Sequence, residues 1–127
     1  MAELSDLEIK TALYAPAAEG EETAEIYRRE ARSILDSDRE ATAALILDAA
    51  YANDRDEAPV EDIVRDLNLA VSLAPNALWV YESAYRLMLK LGLWRESLAL
   101  LEKAYTLTKA PDEALAIGLT AGNELWF

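Results

Sequence analysis

Apolar residues recur along this chain at three- and four-residue intervals, and strand-like runs of β-branched residues are missing. The pattern predicts helices throughout. The first is expected from Asp6 to about Tyr14, where Ser5 followed by Glu8 has the spacing of a capping box. Residues 15–22 include Pro16, Gly20 and several glutamates and predict a loop. A second helix is expected from about Glu22 to Leu35, with Ile26, Tyr27, Ala31, Ile34 and Leu35 on one face. Ser37 and Glu40 form another capping-box pair, placing a turn at Asp36-Ser37-Asp38 before a third helix over about Arg39 to Asn53. Pro59 suits the first turn of a fourth, reaching to about Ala74. Asn76 can cap a fifth over about Ala77 to Leu91, Gly92 offers the left-handed residue that ends it, and a sixth spans about Trp94 to Lys109. Pro111-Asp112 opens a last helix to about Trp126, so six to seven helices are expected.

Slid by 34 residues, the chain echoes itself. Leu47 falls on Tyr81, Ala50 on Ala84, Tyr51 on Tyr85, Val60 on Trp94, Leu67 on Leu101, Ala70 on Ala104 and Leu73 on Leu107. A period of that length marks stacked helical hairpins. With units at 44–77 and 78–111, an aromatic sits early in the first helix and a small residue and an aromatic follow it. Gly92 stands at the bend, alanine late in the second helix, and Pro75 at the end of a unit. This pattern resembles the tetratricopeptide repeat (TPR). The resemblance covers about Ala44 to Phe127, including a last helix, 112–126, with Leu115, Gly118 and Leu119 in register. Ser97 and Ile63 stand where that family usually has alanine, Ala58 stands at the bend glycine, and Lys109 at the terminal proline. Glu22 to Asp38 does not hold the register.

The resemblance implies an all-α, right-handed superhelix of antiparallel hairpins over 22–127, preceded by an amino-terminal helix and acidic loop at 1–21. It further implies that the first helix of each hairpin lines a concave groove whose outward positions meet a bound peptide. Those positions are Leu45, Asp48, Ala52 and Arg55 in one unit, Trp79, Glu82, Arg86 and Lys90 in the next, and Glu113, Ala116 and Thr120 in the last helix. Trp79 and Arg86 are the expected anchors, because aromatic and guanidinium groups dominate interface energetics; Trp79 packed on a neighbouring helix is the alternative. Repeats of this family that grip acidic chaperone tails use a Lys/Asn/Asn/Lys/Arg clamp, and the matching positions here are Asp48, Ala52, Ser83, Glu113 and Ile117. Asp48 and Glu113 would repel a carboxylate, so an acidic tail is not the expected ligand.

Composition narrows the chemistry. Cysteine and histidine are absent from the 127 residues, which removes disulfides, thiol nucleophiles, Ser-His-Asp triads and the usual zinc sets. The net charge of -12 argues against nucleic acid and anionic membranes. Residues 1–62 hold 17 acidic and 6 basic side chains, so the amino-terminal half is either a solvated acidic face or a docking surface for a basic partner. No apolar run reaches the roughly 20 residues of a membrane span, and the start lacks a signal-like region, so a soluble cytoplasmic protein is expected.

Asp62 and Asp66 share a helical face and could hold magnesium through waters, but a helix start accounts for Glu61 and Asp62 without a ligand. Asp54-x-Asp56 begins like a calcium loop, yet Pro59 replaces its glycine and Arg65 its glutamate. Gly118-x-x-x-Gly122 suits close helix packing. Leu115, Leu119, Leu125, Trp126 and Phe127 leave an apolar outer face on the last helix, and three arrangements would cover it: a longer array from which the chain is excised, a second copy pairing through Leu125, Trp126 and Phe127, or folding against the amino-terminal helices. The expectation is a non-enzymatic adaptor or scaffold without cofactor or metal. It would bind a peptide or helix of a partner protein in its groove, or pair as a homodimer through the carboxy-terminal helix. The alternative is a small acidic chaperone dedicated to one secreted or aggregation-prone client.

Overall fold

The computed structural model describes residues 4–16 and 19–107. Among them are six α-helices and no strand: α1 Asp6–Tyr14, α2 Glu22–Ile34, α3 Arg39–Arg55, α4 Val60–Leu73, α5 Leu78–Lys90 and α6 Trp94–Leu107. The expected helix at 112–126 lies outside the described residues. Two compact units divide the chain between Pro75 and Asn76, so α1–α4 belong to one and α5 and α6 to the other.

In the first unit α3 packs between α2 and α4, and α1 lies against α2 and α4. Ile9 and Leu13 of α1 are buried, each contributing roughly 1.5–3 kcal/mol of apolar transfer. Polar ties reinforce them: Leu4 N donates to Ser72 Oγ at 3.0 Å, and Arg32 Nε to the Leu13 carbonyl at 2.8 Å. α1 is thus part of the same compact unit as α2–α4. The buried side of α2 differs from the expected one. Ala24, Arg28, Ala31 and Leu35 face inward, whereas Ile26 is 63% exposed. An arginine heads the inward face because carboxylates await it there.

Two of the expected caps form and two are corrected. Ser5 Oγ accepts from Glu8 N while Ser5 N donates to Glu8 Oε1, both at 3.2 Å, completing the capping box of α1. For α3 the cap is Asp38, whose Oδ1 accepts from Ala41 N at 3.0 Å, and not Ser37, whose hydroxyl turns back to the Ile34 carbonyl. The carboxylate stands one residue nearer the first turn and also complements the helix dipole. Asn76 does not cap α5; Ala77 holds that position without a side-chain bond. Gly92 does end α5 in the left-handed region, at φ 78°.

The turns after α3 and α5 share one geometry with one difference in chemistry. Leu93 N bonds to the Met88 carbonyl and Gly92 N to the Leu89 carbonyl, both at 3.0 Å, closing a Schellman motif. Ala58 N to the Asn53 carbonyl at 2.9 Å and Glu57 N to the Asp54 carbonyl at 3.2 Å repeat it. The left-handed residue there is Glu57, at φ 58°, not Ala58. These caps stand 35 residues apart, whereas α4 and α6 begin 34 apart, so the α3–α4 turn holds one extra residue. Counted back from the caps, Ala52 matches Leu87 and Asn53 matches Met88, and all four are buried.

In the second unit α5 packs on α6, and Val80, Tyr81, Ala84, Leu87 and Met88 of the one and Ser97, Leu100 and Ala104 of the other are buried. Ser97 takes the place of an alanine without leaving its hydroxyl unpaired, since Oγ donates to the Trp94 carbonyl at 2.9 Å.

Left-handed backbone strains a side-chain-bearing residue by about 1–2 kcal/mol, and no atom lies within 4 Å of a Cβ built on Gly92. Glu57→Gly should therefore raise stability by about 1 kcal/mol, and Gly92→Ala should lower it by about as much. Urea unfolding of the two variants beside the wild type checks both signs; equal midpoints for all three would refute the assignment.

Candidate functional site

The fifth helix carries the clearest exposed face. Trp79, Glu82, Arg86 and Lys90 recur at helical spacing on α5, and the inward positions Val80, Ala84, Leu87 and Met88 leave them turned outward. Trp79 is 44% exposed, a large aromatic left partly in water. Three residues on, Glu82 accepts from Arg86 Nη2 at 2.7 Å in an i,i+4 ion pair that sits largely in solvent. Such a pair adds little to folding, but it holds the guanidinium in one place beside the indole's helix face.

The expected positions on α3 behave differently. Asp48 is exposed and Leu45 half-buried, but Ala52 is fully buried and presents no side chain to a partner. The extra residue in the α3–α4 turn explains the shift, since it brings Ala52 into the position of buried Leu87 and not of exposed Arg86. Partial burial raises the Asp48 carboxyl above its ordinary range, and the Arg55 charge works against that rise. Arg55 itself is exposed at the end of α3. Glu113, Ala116, Thr120, Leu125, Trp126 and Phe127 lie outside the described residues.

The strongest concentration of charge is buried inside the first unit, where the sequence pattern had not placed it. Arg28 of α2 donates through Nη2 to Asp66 Oδ2 of α4 at 2.7 Å and to Glu21 Oε1 at 3.0 Å. Asn53, near the end of α3, donates its Nδ2 to the same two oxygens at 3.2 and 2.9 Å. Arg65 closes the cluster from the rim, with Nη2 3.2 Å from Glu21 Oε1 and Nη1 3.5 Å from Asp62 Oδ1. Glu21, Arg28, Asn53 and Asp66 are each at most 3% exposed. The Asn53 amide is oriented by the carboxylates: its nitrogen serves both, and its Oδ1 has no partner.

Two carboxylates sharing one guanidinium set the electrostatics. Burial opposes the Arg28 charge, but Asp66 and Glu21 together outweigh it and hold its pKa above the usual value. At Asp66 burial wins over the Arg28 and Arg65 charges, with Glu21 adding repulsion, so its carboxyl titrates above the ordinary range. A metal reading of Asp62 with Asp66 has no room here, because the Asp66 oxygens face guanidinium groups. Among the described residues no group of three acidic side chains could hold a metal ion. A shallow cavity of about 250 Å³ lies between α1 and the end of α2, lined by Asp6, Ile9, Lys10, Leu35, Asp36 and Arg39. Its charges are partly matched already, Arg39 Nη1 lying 3.1 Å from Asp6 Oδ1.

Glu21 follows a loop, Arg28 interrupts an apolar stripe and Asn53 opens a polar run, so hydrophobic periodicity passes over all three. The available signal was an arginine at i+4 from Ala24 and i−3 from Ala31, a charge inside a small-residue face. No helix among the described residues is long and apolar enough to cross a membrane. The chain matches no protein-family model, no curated protein and no solved structure.

Removing Arg28 leaves two buried carboxylates facing each other. Arg28→Met should cost about 3–5 kcal/mol in urea unfolding at neutral pH, and Glu21→Met with Asp66→Leu in the same chain should recover part of that loss. Recovery of nothing would mean that the charges themselves are not the cause. A raised folded-state value at Asp66 means that its contribution to stability is full below the unfolded value and is lost as pH rises through the folded one. The wild type should therefore gain on the uncharged Asp66→Asn variant as pH falls from about 7 to about 4. Urea midpoints at both ends of that range decide it, and a gap that narrows in the other direction contradicts the assignment.

Proposed function

We propose that this chain is a non-enzymatic protein-interaction module whose helical hairpins stack in a TPR-like right-handed superhelix and which acts in the cytoplasm. The observation that carries the reading is the outward face of α5, where half-exposed Trp79 shares a helix face with the ion-paired Arg86. A flat indole and a guanidinium already held by Glu82 are preorganised for contact, so the partner alone must be ordered on binding. The 34-residue echo supports stacking, and the family it resembles uses the first helix of each hairpin for contact. The ligand that fits this face is a peptide or helix of a partner protein offering an apolar side chain to Trp79 and a carboxylate or carbonyl to Arg86. An enzyme reading would need a cluster of groups around a reacting atom, and the buried charges of the first unit are committed to one another.

Affinity capture from native lysate, with the retained protein identified and its binding titrated, tests this reading. Trp79→Ala combined with Arg86→Ala should weaken binding at least about thirtyfold, as loss of one hot-spot residue does, while helical circular dichroism stays unchanged. A retained partner bound equally well by both chains removes the α5 face from the proposal. Loss of helical signal in the double variant would make Trp79 a folding residue.

A further inference from the structure

The cavity between α1 and the end of α2 combines an apolar floor with charged walls. Ile9 and Leu35, 2% and 7% exposed, supply the floor. Arg39 is fixed in the wall, since its Nε donates to the Leu73 carbonyl at 3.2 Å and its Nη1 to Asp6 Oδ1 at 3.1 Å. Those bonds leave its Nη2 and the second Asp6 oxygen uncommitted. Lys10 and Asp36 line the same space, and among the described residues neither side chain has a hydrogen bond or an ion pair. An ammonium and a carboxylate thus border one cavity without meeting. The wall that carries Lys10 is held in place by the buried Leu13 and by the bond from Leu4 N to Ser72 Oγ.

We propose that this cavity binds a free α-amino acid with an apolar side chain of about leucine size. Its carboxylate is taken by Lys10 and Arg39, its ammonium by Asp36 and Asp6, and its side chain lies on Ile9 and Leu35. Other ligand classes fit less well. An anion meets two carboxylates, a cation meets an ammonium and a guanidinium, and a neutral apolar molecule covers the charges without pairing them. A zwitterion answers both signs at no net charge. The volume of about 250 Å³ is just under that of drug-sized pockets and suits a ligand of this size. The charges stand at the rim, partly in water, so each pairing contributes only a few-fold and the expected Kd is on the order of millimolar. The inference is independent of what the α5 face binds.

Titration of leucine into the isotope-labelled full chain at low salt, followed by backbone amide NMR, tests the site. Saturable shifts should centre on residues 6–10 and 35–39. N-acetyl-leucine, which lacks the ammonium, and leucinamide, which lacks the carboxylate, should each bind about fivefold more weakly, as should glycine, which lacks the side chain. Asp36→Asn should shrink the preference for leucine over N-acetyl-leucine and leave that over leucinamide, and Lys10→Met should do the reverse. Both side chains are exposed, so neither change threatens the fold. N-acetyl-leucine or leucinamide bound as tightly as leucine would make the ligand a peptide terminus and overturn the proposal. So would glycine bound as tightly as leucine, preferences unmoved in both variants, or no saturable shift up to about 50 mM leucine.

Discussion

Arg28 is the constraint on which the first unit depends. Its guanidinium draws a carboxylate from the start of α2 and another from α4 into a site that also takes the Asn53 amide of α3. The rest of the inward face of α2 is mostly alanine, Ala24 and Ala31. Alanine surfaces are smooth, and two helices can slide or rotate on them at little cost in buried area. A guanidinium between two carboxylates cannot slide, because any displacement strands a buried charge. The network therefore supplies the registry of α2, α3 and α4 that small apolar side chains leave loose.

The cost of such a site explains how the rest of the cluster is composed. Two carboxylates near one guanidinium would carry a net negative charge in a dry interior. Arg65 offsets it from the rim, where 41% of its side chain still reaches water. Asn53 adds donors without charge, and its unpartnered Oδ1 is what remains after both amide hydrogens are committed. Burial nevertheless prevails at Asp66, whose carboxyl is held above its ordinary range by desolvation although two arginines attend it.

Much of the secondary structure was legible in the sequence because it is decided locally. The Ser5–Glu8 capping box, the glycine after α5 and the polar breaks between helices depend on residues a few positions apart, and among the described residues the boundaries from α1 to the start of α6 fall within about two residues of their expected places. What failed depended on distant partners or on single-residue offsets. Arg28 is inward only because Asp66, far along the chain, is opposite it. Ala52 is buried because the α3–α4 turn holds one more residue than the α5–α6 turn, an insertion that a fixed period of 34 conceals. Glu57 adopts a backbone that glycine prefers, so its identity hid the turn that Gly92 announces. Of the candidate face, Trp79, Glu82, Arg86 and Lys90 were legible because helical spacing alone groups them.

The two tryptophans left in water have opposite implications. Trp79 stands on a face that also bears Glu82, Arg86 and Lys90, and a face of that composition is stable in solvent and selective when covered. Any partner that buries it must satisfy an ion pair as well as an indole, which discriminates among ligands more than it attracts them. Trp94 belongs with Leu98 and Tyr105 to an exposed stripe of α6 without charge, and such a stripe gains from any apolar cover and selects little. Charge composition, more than exposure, thus separates a face that selects its partner from one that any apolar surface can cover.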